Sequence, residues 1–171
     1  MFEHIITPIV YLCGAGITFL LVINIMFKTD SDVQVYCDSA IHEFVDESRA
    51  SGYISAENYL DMVNKMNNTL NLYDIKIVHK SKKMVPNDAG GYMDSYTAYY
   101  NNEILSVLFP DSTDEYVNYP LKNGDYLQVS YQLKEPTITA KLMLMIQTHS
   151  VKSIHGSYGA YVGSTEENGN F

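Results

Sequence analysis

Residues 5–27 read IITPIVYLCGAGITFLLVINIMF, an unbroken run without one Asp, Glu, Lys or Arg. As a helix rising 1.5 Å per residue it reaches roughly 34 Å, enough to cross a hydrocarbon core of about 30 Å. Nothing else in the 171 residues is like it. A cleavable secretory signal would have a basic start, a shorter apolar run and a small-residue cleavage site. Met1-Phe2-Glu3-His4 has no base, and Ile23-Asn24-Ile25-Met26-Phe27-Lys28 has no Ala-x-Ala pattern, so an uncleaved anchor is expected. A buried globular helix is the competing reading, but such helices rarely stay apolar on every face. Inside the run, Gly14 and Thr18 lie four apart, the spacing that lets helix backbones approach closely in lipid. Glycine is also simply common in membrane helices. Thr7-Pro8 reads as an N-cap followed by proline at the first helical position; a helix starting earlier should be kinked by Pro8. Orientation stays open, because near the run only Lys28 counts under the positive-inside rule.

Working outward, the helix is expected to continue past the membrane surface. Val33, Cys37, Ala40, Ile41, Phe44 and Val45 form an amphipathic stripe, while Asp38, Glu43, Asp46, Glu47 and Arg49 fall largely off it. Ser51-Gly52 supplies a stop, and residues 29–32 are the weakest joint. This organisation predicts an anchor over residues 1–28, a water-soluble domain over 29–163 and a loose polar tail over 164–171.

Beyond the anchor the chain holds ten basic and nineteen acidic side chains, a formal charge of −9. Such a domain is long enough for one core. It has no basic face of the kind phosphate neutralisation requires, so no nucleic-acid partner is expected. The one basic cluster, His79-Lys80-Ser81-Lys82-Lys83, reads as a solvated strand end. Of the two cysteines, Cys13 sits in the apolar run and Cys37 about six turns further along, too far apart to bridge within one chain.

A second helix is predicted after Ser55, a good N-cap, with Ile54 and Tyr59 placed for a hydrophobic staple and Asn67-Asn68 at its end. Residues 73–80 alternate as a strand, with Tyr73, Ile75 and Ile77 toward the core. A polar loop is expected over residues 81–93, followed by a tyrosine-rich stretch (Tyr92, Tyr96, Tyr99, Tyr100) and a short helix over 101–108. Asn123-Gly124 signals a turn before a strand over 125–134. Residues 137–147 are strand or helix, and 151–162 a last strand. The predicted fold class is α+β: a long N-terminal helix, transmembrane then amphipathic, packed on an antiparallel sheet.

The search for chemistry finds little. No Gly-x-Ser-x-Gly elbow is present, and Gly156-Ser157-Tyr158-Gly159 lacks its spacing. Cys37 on a core stripe is an inert thiol by default. His79, His149 and His155 lack the spacing of a metal site. Gly156, Gly159 and Gly163 match no phosphate loop, and Asp46-Glu47 and Glu166-Glu167 read as surface charge. Neither catalytic residues nor a cofactor or metal is expected. The fifteen tyrosines suit either half-exposed strands or a contact surface.

Three segments carry a resemblance. Residues 44–59 (FVDESRASGYISAENY) look like the linker between helices of the TadE-like minor pilins or pseudopilins of tight-adherence pilus machinery. Residues 119–126 (YPLKNGDY) and 157–160 (SYGA) look like their strand entry and closing segment. The chain thus resembles type IV pilin-like proteins over most of its length. The resemblance implies a non-enzymatic structural subunit with a cytoplasmic N-terminus and an extracytoplasmic domain. Its partners would be the lipid bilayer and other pilin-like subunits or pilus assembly proteins, reached through the N-terminal helix, with a homo-oligomer possible. Glu3 is matched to the glutamate that prepilins carry shortly after their cleavage point, a residue of subunit assembly. The alternative from another class is an anchored ligand-binding or sensing domain with the tyrosine-rich region as its pocket.

Overall fold

The computed structural model describes residues 3–87, 90–110, 116–146 and 153–163, with the backbone alone at 3–5 and 146. The tail at 164–171, His149 and the Glu166-Glu167 pair lie outside the described residues. The fold is α+β, with one long N-terminal helix and antiparallel sheets. The chain groups into two compact units: Met1–Val35 with Pro136–Ile154, and Tyr36–Glu135 with His155–Phe171.

Helix α1 runs Glu3–Ser51 as one continuous element. Thr7-Pro8 is therefore not its start, and Pro8 lies inside it. The ring has no amide hydrogen, so one intrahelical bond is lost near the helix start. The joint at 29–32 is unbroken; the Thr29 hydroxyl donates to the Ile25 carbonyl at 3.0 Å. The helix stops where expected, with Gly52 at φ +77° and its amide donating to the Ser48 carbonyl at 3.0 Å.

In the larger unit the predicted stripe is the buried one: Cys37, Ala40, Ile41, Phe44 and Val45 are in the core. It extends one step further to Ser48. Helix α2 (Ala56–Asn67) starts at the Ser55 cap, whose hydroxyl accepts from the Asn58 amide at 3.0 Å. It buries Ala56, Met62 and Met66. Two short strands, β1 (Tyr53–Ile54) and β4 (Tyr119–Pro120), pair antiparallel. The main sheet has the order β3-β2-β5-β6, from β2 (Tyr73–Pro86), β3 (Tyr92–Tyr100), β5 (Tyr126–Leu133) and β6 (His155–Tyr161), antiparallel throughout. Its core face presents Tyr73, Ile77 and His79 on β2 and Leu127, Val129, Tyr131 and Leu133 on β5.

The expected loop over 81–93 is a correction: β2 continues to Pro86, and the tyrosine-rich stretch after it is strand β3. The lysine cluster accordingly lies within a strand. Alternation buries Ser81 and sends its neighbours outward, where cross-strand partners meet them. Lys82 reaches Asp94 on β3 at 2.9 Å, and Lys80 lies 5.5 Å from the centroid of the Tyr126 ring on β5. Helix α3 (Asn101–Leu108) forms where predicted. Its first residue takes over the β2 backbone as the β3 pairing ends: the Asn101 side chain accepts from the Ile77 amide at 3.0 Å and donates to the Ile75 carbonyl at 3.1 Å.

Residues 138–146 settle as helix α4 (Ile138–Ile146), not strand. The β-branched Thr137 that favoured a strand serves as a cap instead, its hydroxyl accepting from the Ala140 amide at 3.1 Å.

Candidate functional site

The candidate site is the apolar half of α1. It is long and apolar enough to cross a membrane, and no part of its apolar window is buried. Its polar side chains turn inward to their own helix. Thr18 donates to the Gly14 carbonyl at 2.9 Å, Asn24 to Leu20 at 2.8 Å and Thr29 to Ile25 at 3.0 Å, each four residues back. Such back-bonds are compatible with a hydrocarbon surrounding, which would offer these donors no other partner. The bond to Gly14 also places both predicted packing residues on one face, and a Cβ added at Gly14 meets nothing within 4 Å. That face is open to a second helix, and contact there would be van der Waals, since the Thr18 hydroxyl is already engaged. The Glu3 backbone begins the helix; its side chain lies outside the described residues.

The titratable residues form a second arrangement, one that the sequence reading did not find. His79 is buried with both ring nitrogens engaged: Nδ1 lies 2.9 Å from the Tyr119 hydroxyl and Nε2 lies 2.8 Å from Asp125 Oδ2. The Tyr99 ring stacks on it. Asp125 also accepts from the Lys122 and Lys82 amides, both at 2.8 Å. Burial opposes ionisation of this carboxyl, but the two amides and the imidazole outweigh it and hold its pKa below the ordinary carboxylate value. Burial and the nearby acidic groups push the Tyr119 phenol up to about 12. The chain Tyr119–His79–Asp125 superficially resembles a catalytic relay, but all three residues are buried and the imidazole has no nitrogen left for a substrate. It works as a clamp, tying the β1/β4 pair to the main sheet. The signal available in sequence was His79 falling in step with Tyr73, Ile75 and Ile77 on the core face.

The other singled-out residues take structural places. Cys37 has no exposed surface and burial pushes its thiol up. Ser157 accepts from the Gln128 side chain at 2.9 Å. His155 pairs opposite Gln132 on β6, and among the described residues no group of three or more His, Cys, Asp or Glu is placed to hold a metal. Tyr92, Tyr96 and Tyr100 are exposed along the edge strand β3. An open depression of about 580 Å³ is lined instead by Glu47, Glu57, Asn58, Leu60, Asp61, Asn64 and Tyr116. No family model, curated protein or solved structure matches the chain.

Proposed function

We propose that the chain is a membrane-anchored, non-enzymatic structural subunit of pilin-like type, assembling with other subunits through its N-terminal helix. In this reading residues 1–28 cross the bilayer with the N-terminus cytoplasmic, and the acidic α+β region is extracytoplasmic. The observation that carries it is the uncovered apolar window of α1, with its polar side chains bonded back to their own backbone. Such a surface is stable in lipid and costly in water. The Gly14–Thr18 face supports the assembly role, because it admits a neighbouring helix closely. The sealed Tyr119–His79–Asp125 clamp supports a structural rather than a catalytic use of the domain's best-placed titratable groups.

The test begins with sedimentation of full-length protein without detergent, where it should pellet with membranes; recovery in the supernatant refutes the anchor. Cross-linking in membranes then tests assembly. Gly14→Leu or Thr18→Leu should weaken helix association by about 1 kcal/mol, roughly fivefold in recovered cross-linked species. Unchanged recovery refutes assembly through this face.

A further inference from the structure

Helix α4 begins at a hydroxyl with two bonds. Thr137 Oγ1 caps the Ala140 amide and donates to the Asp30 carboxylate at 2.8 Å. Asp30 lies three residues beyond Phe27, the end of the apolar run, about 4.5 Å along the axis. Between residues 6 and 29 every side chain is exposed except Ile23 and Met26, which are half-covered. Those two precede Asp30 by seven and four residues and so share its face of the helix. The other stretch of chain in their compact unit is Pro136–Ile154. The bond from Thr137 to Asp30 therefore starts α4 within about one turn of the end of the apolar run.

At that level α4 turns its apolar side outward. Ile138 is 70% exposed, Leu144 53% and Met145 84%, while the buried positions are Thr139 and Ala140. Lys141, the one charged residue in the helix, is exposed on the same side, three residues after Ile138 and four before Met145, and Leu142 and Met143 are half-covered. The helix is thus apolar on most of its circumference, unlike one that turns a polar face to water.

We propose that α4 is a second membrane contact: an interfacial helix whose Ile138, Leu144 and Met145 face lies in the lipid boundary where α1 leaves the bilayer. The proposal rests on reading residues 1–28 as the span. Lipid is the occupant because α4 starts within about one turn of the end of the apolar run, where the proposed span leaves the bilayer. Nine residues are too few to cross a membrane. The contact holds α1 at two points and so fixes its tilt and rotation in the membrane.

The test uses the full-length chain with Cys13→Ser, since Cys37 has no exposed surface to label. Single cysteines at Met145→Cys or Ile138→Cys carry an environment-sensitive fluorophore, with Leu20→Cys and Lys76→Cys as span and solvent controls. The protein is reconstituted into phosphatidylcholine–phosphatidylglycerol vesicles with nitroxide lipids, shallow or deep. The α4 labels should lose about half of their emission to the shallow nitroxide and less to the deep one, as for side chains about 5–10 Å into the boundary. Leu20→Cys should respond most to the deep nitroxide and Lys76→Cys to neither. If Leu20→Cys is quenched while both α4 labels behave like Lys76→Cys, the interfacial helix is refuted and the span stands. A blue-shifted α4 label that no nitroxide quenches means that a second copy covers the face, which also overturns the proposal. An unquenched Leu20→Cys sinks the span and α4 with it. Two α4 positions guard against one variant failing to fold.

Discussion

Asp125 offers the sharpest measurement of how the larger unit is held together. It is 1% exposed. Its Oδ1 accepts from the Lys82 amide, and its Oδ2 from the Lys122 amide and His79 Nε2, all at 2.8 Å. Asp125→Asn keeps the shape but turns one acceptor into a donor. With the amide oxygen at the Oδ2 position, the new NH2 confronts the Lys82 amide. With it at Oδ1, the NH2 confronts the Lys122 amide and His79 must change tautomer. Either way one buried N–H loses its acceptor, which costs about 1–3 kcal/mol. Asp125→Ala removes both acceptor oxygens and so leaves three donors unmet, His79 Nε2 among them, costing about 3–5 kcal/mol. The step of about 2 kcal/mol between the variants is the discriminating quantity, because a merely space-filling aspartate would not produce it. Urea unfolding of the full-length chain in mild detergent, followed by tyrosine near-ultraviolet circular dichroism, reads both values. An Asn variant within about 0.5 kcal/mol of the parent would show that the carboxylate is not holding three donors.

The same group makes acid sensitivity predictable. Its folded pKa lies below the ordinary value of 3.8, so its contribution is complete above about pH 4 and is lost as pH falls through the folded value. The pH-dependence of unfolding below pH 4 should therefore be shallower in Asp125→Asn; parallel curves would refute this. Ser48 presents the opposite case, a buried hydroxyl without a hydrogen-bond partner among the described residues. Ser48→Ala should be neutral or stabilising by up to about 1 kcal/mol in the same urea experiment, since it removes an unsatisfied group and improves helix propensity; a comparable loss would show that the hydroxyl is bonded.

Elements whose identity rests on local pattern were legible in the sequence. The apolar run and the stripe from Cys37 to Val45 are written in composition and spacing, and the Ser55 cap and the stop at Gly52 each reflect a contact within a few residues. What was missed depends on partners distant in the chain. The lysines at 80 and 82 read as the end of a strand because their partners, Tyr126 and Asp94, lie on β5 and β3. His79 read as part of a basic surface cluster because Asp125 and Tyr119 are 46 and 40 residues away. For residues 137–147 local propensity was divided, and the tie was broken by a cap that also bonds Asp30, 107 residues earlier.

The acidic residues of α1 show why a stripe reading stops short. A stripe of apolar side chains buries a helix but specifies its axial position weakly, since shifting by one turn presents a similar surface. Directional bonds remove that freedom. Asp38 receives the Tyr131 hydroxyl of β5 at 2.8 Å, and Asp46 receives the Tyr158 hydroxyl of β6 at 3.1 Å, with the Tyr158 ring stacked on His42. Burial and the bond to Asp38 push the Tyr131 phenol upward, so it remains a donor throughout the ordinary pH range. Gly156 keeps this site open, because a Cβ there would collide with both the Asp38 carboxylate and the Tyr131 ring. A one-turn slip of α1 would break both aspartate bonds together and leave the phenols facing the wrong side chains. Charges that looked like a solvated face thus set the register of the helix on the sheet. In the smaller unit Asp30 holds Thr137 by the same kind of hydroxyl-to-carboxylate bond.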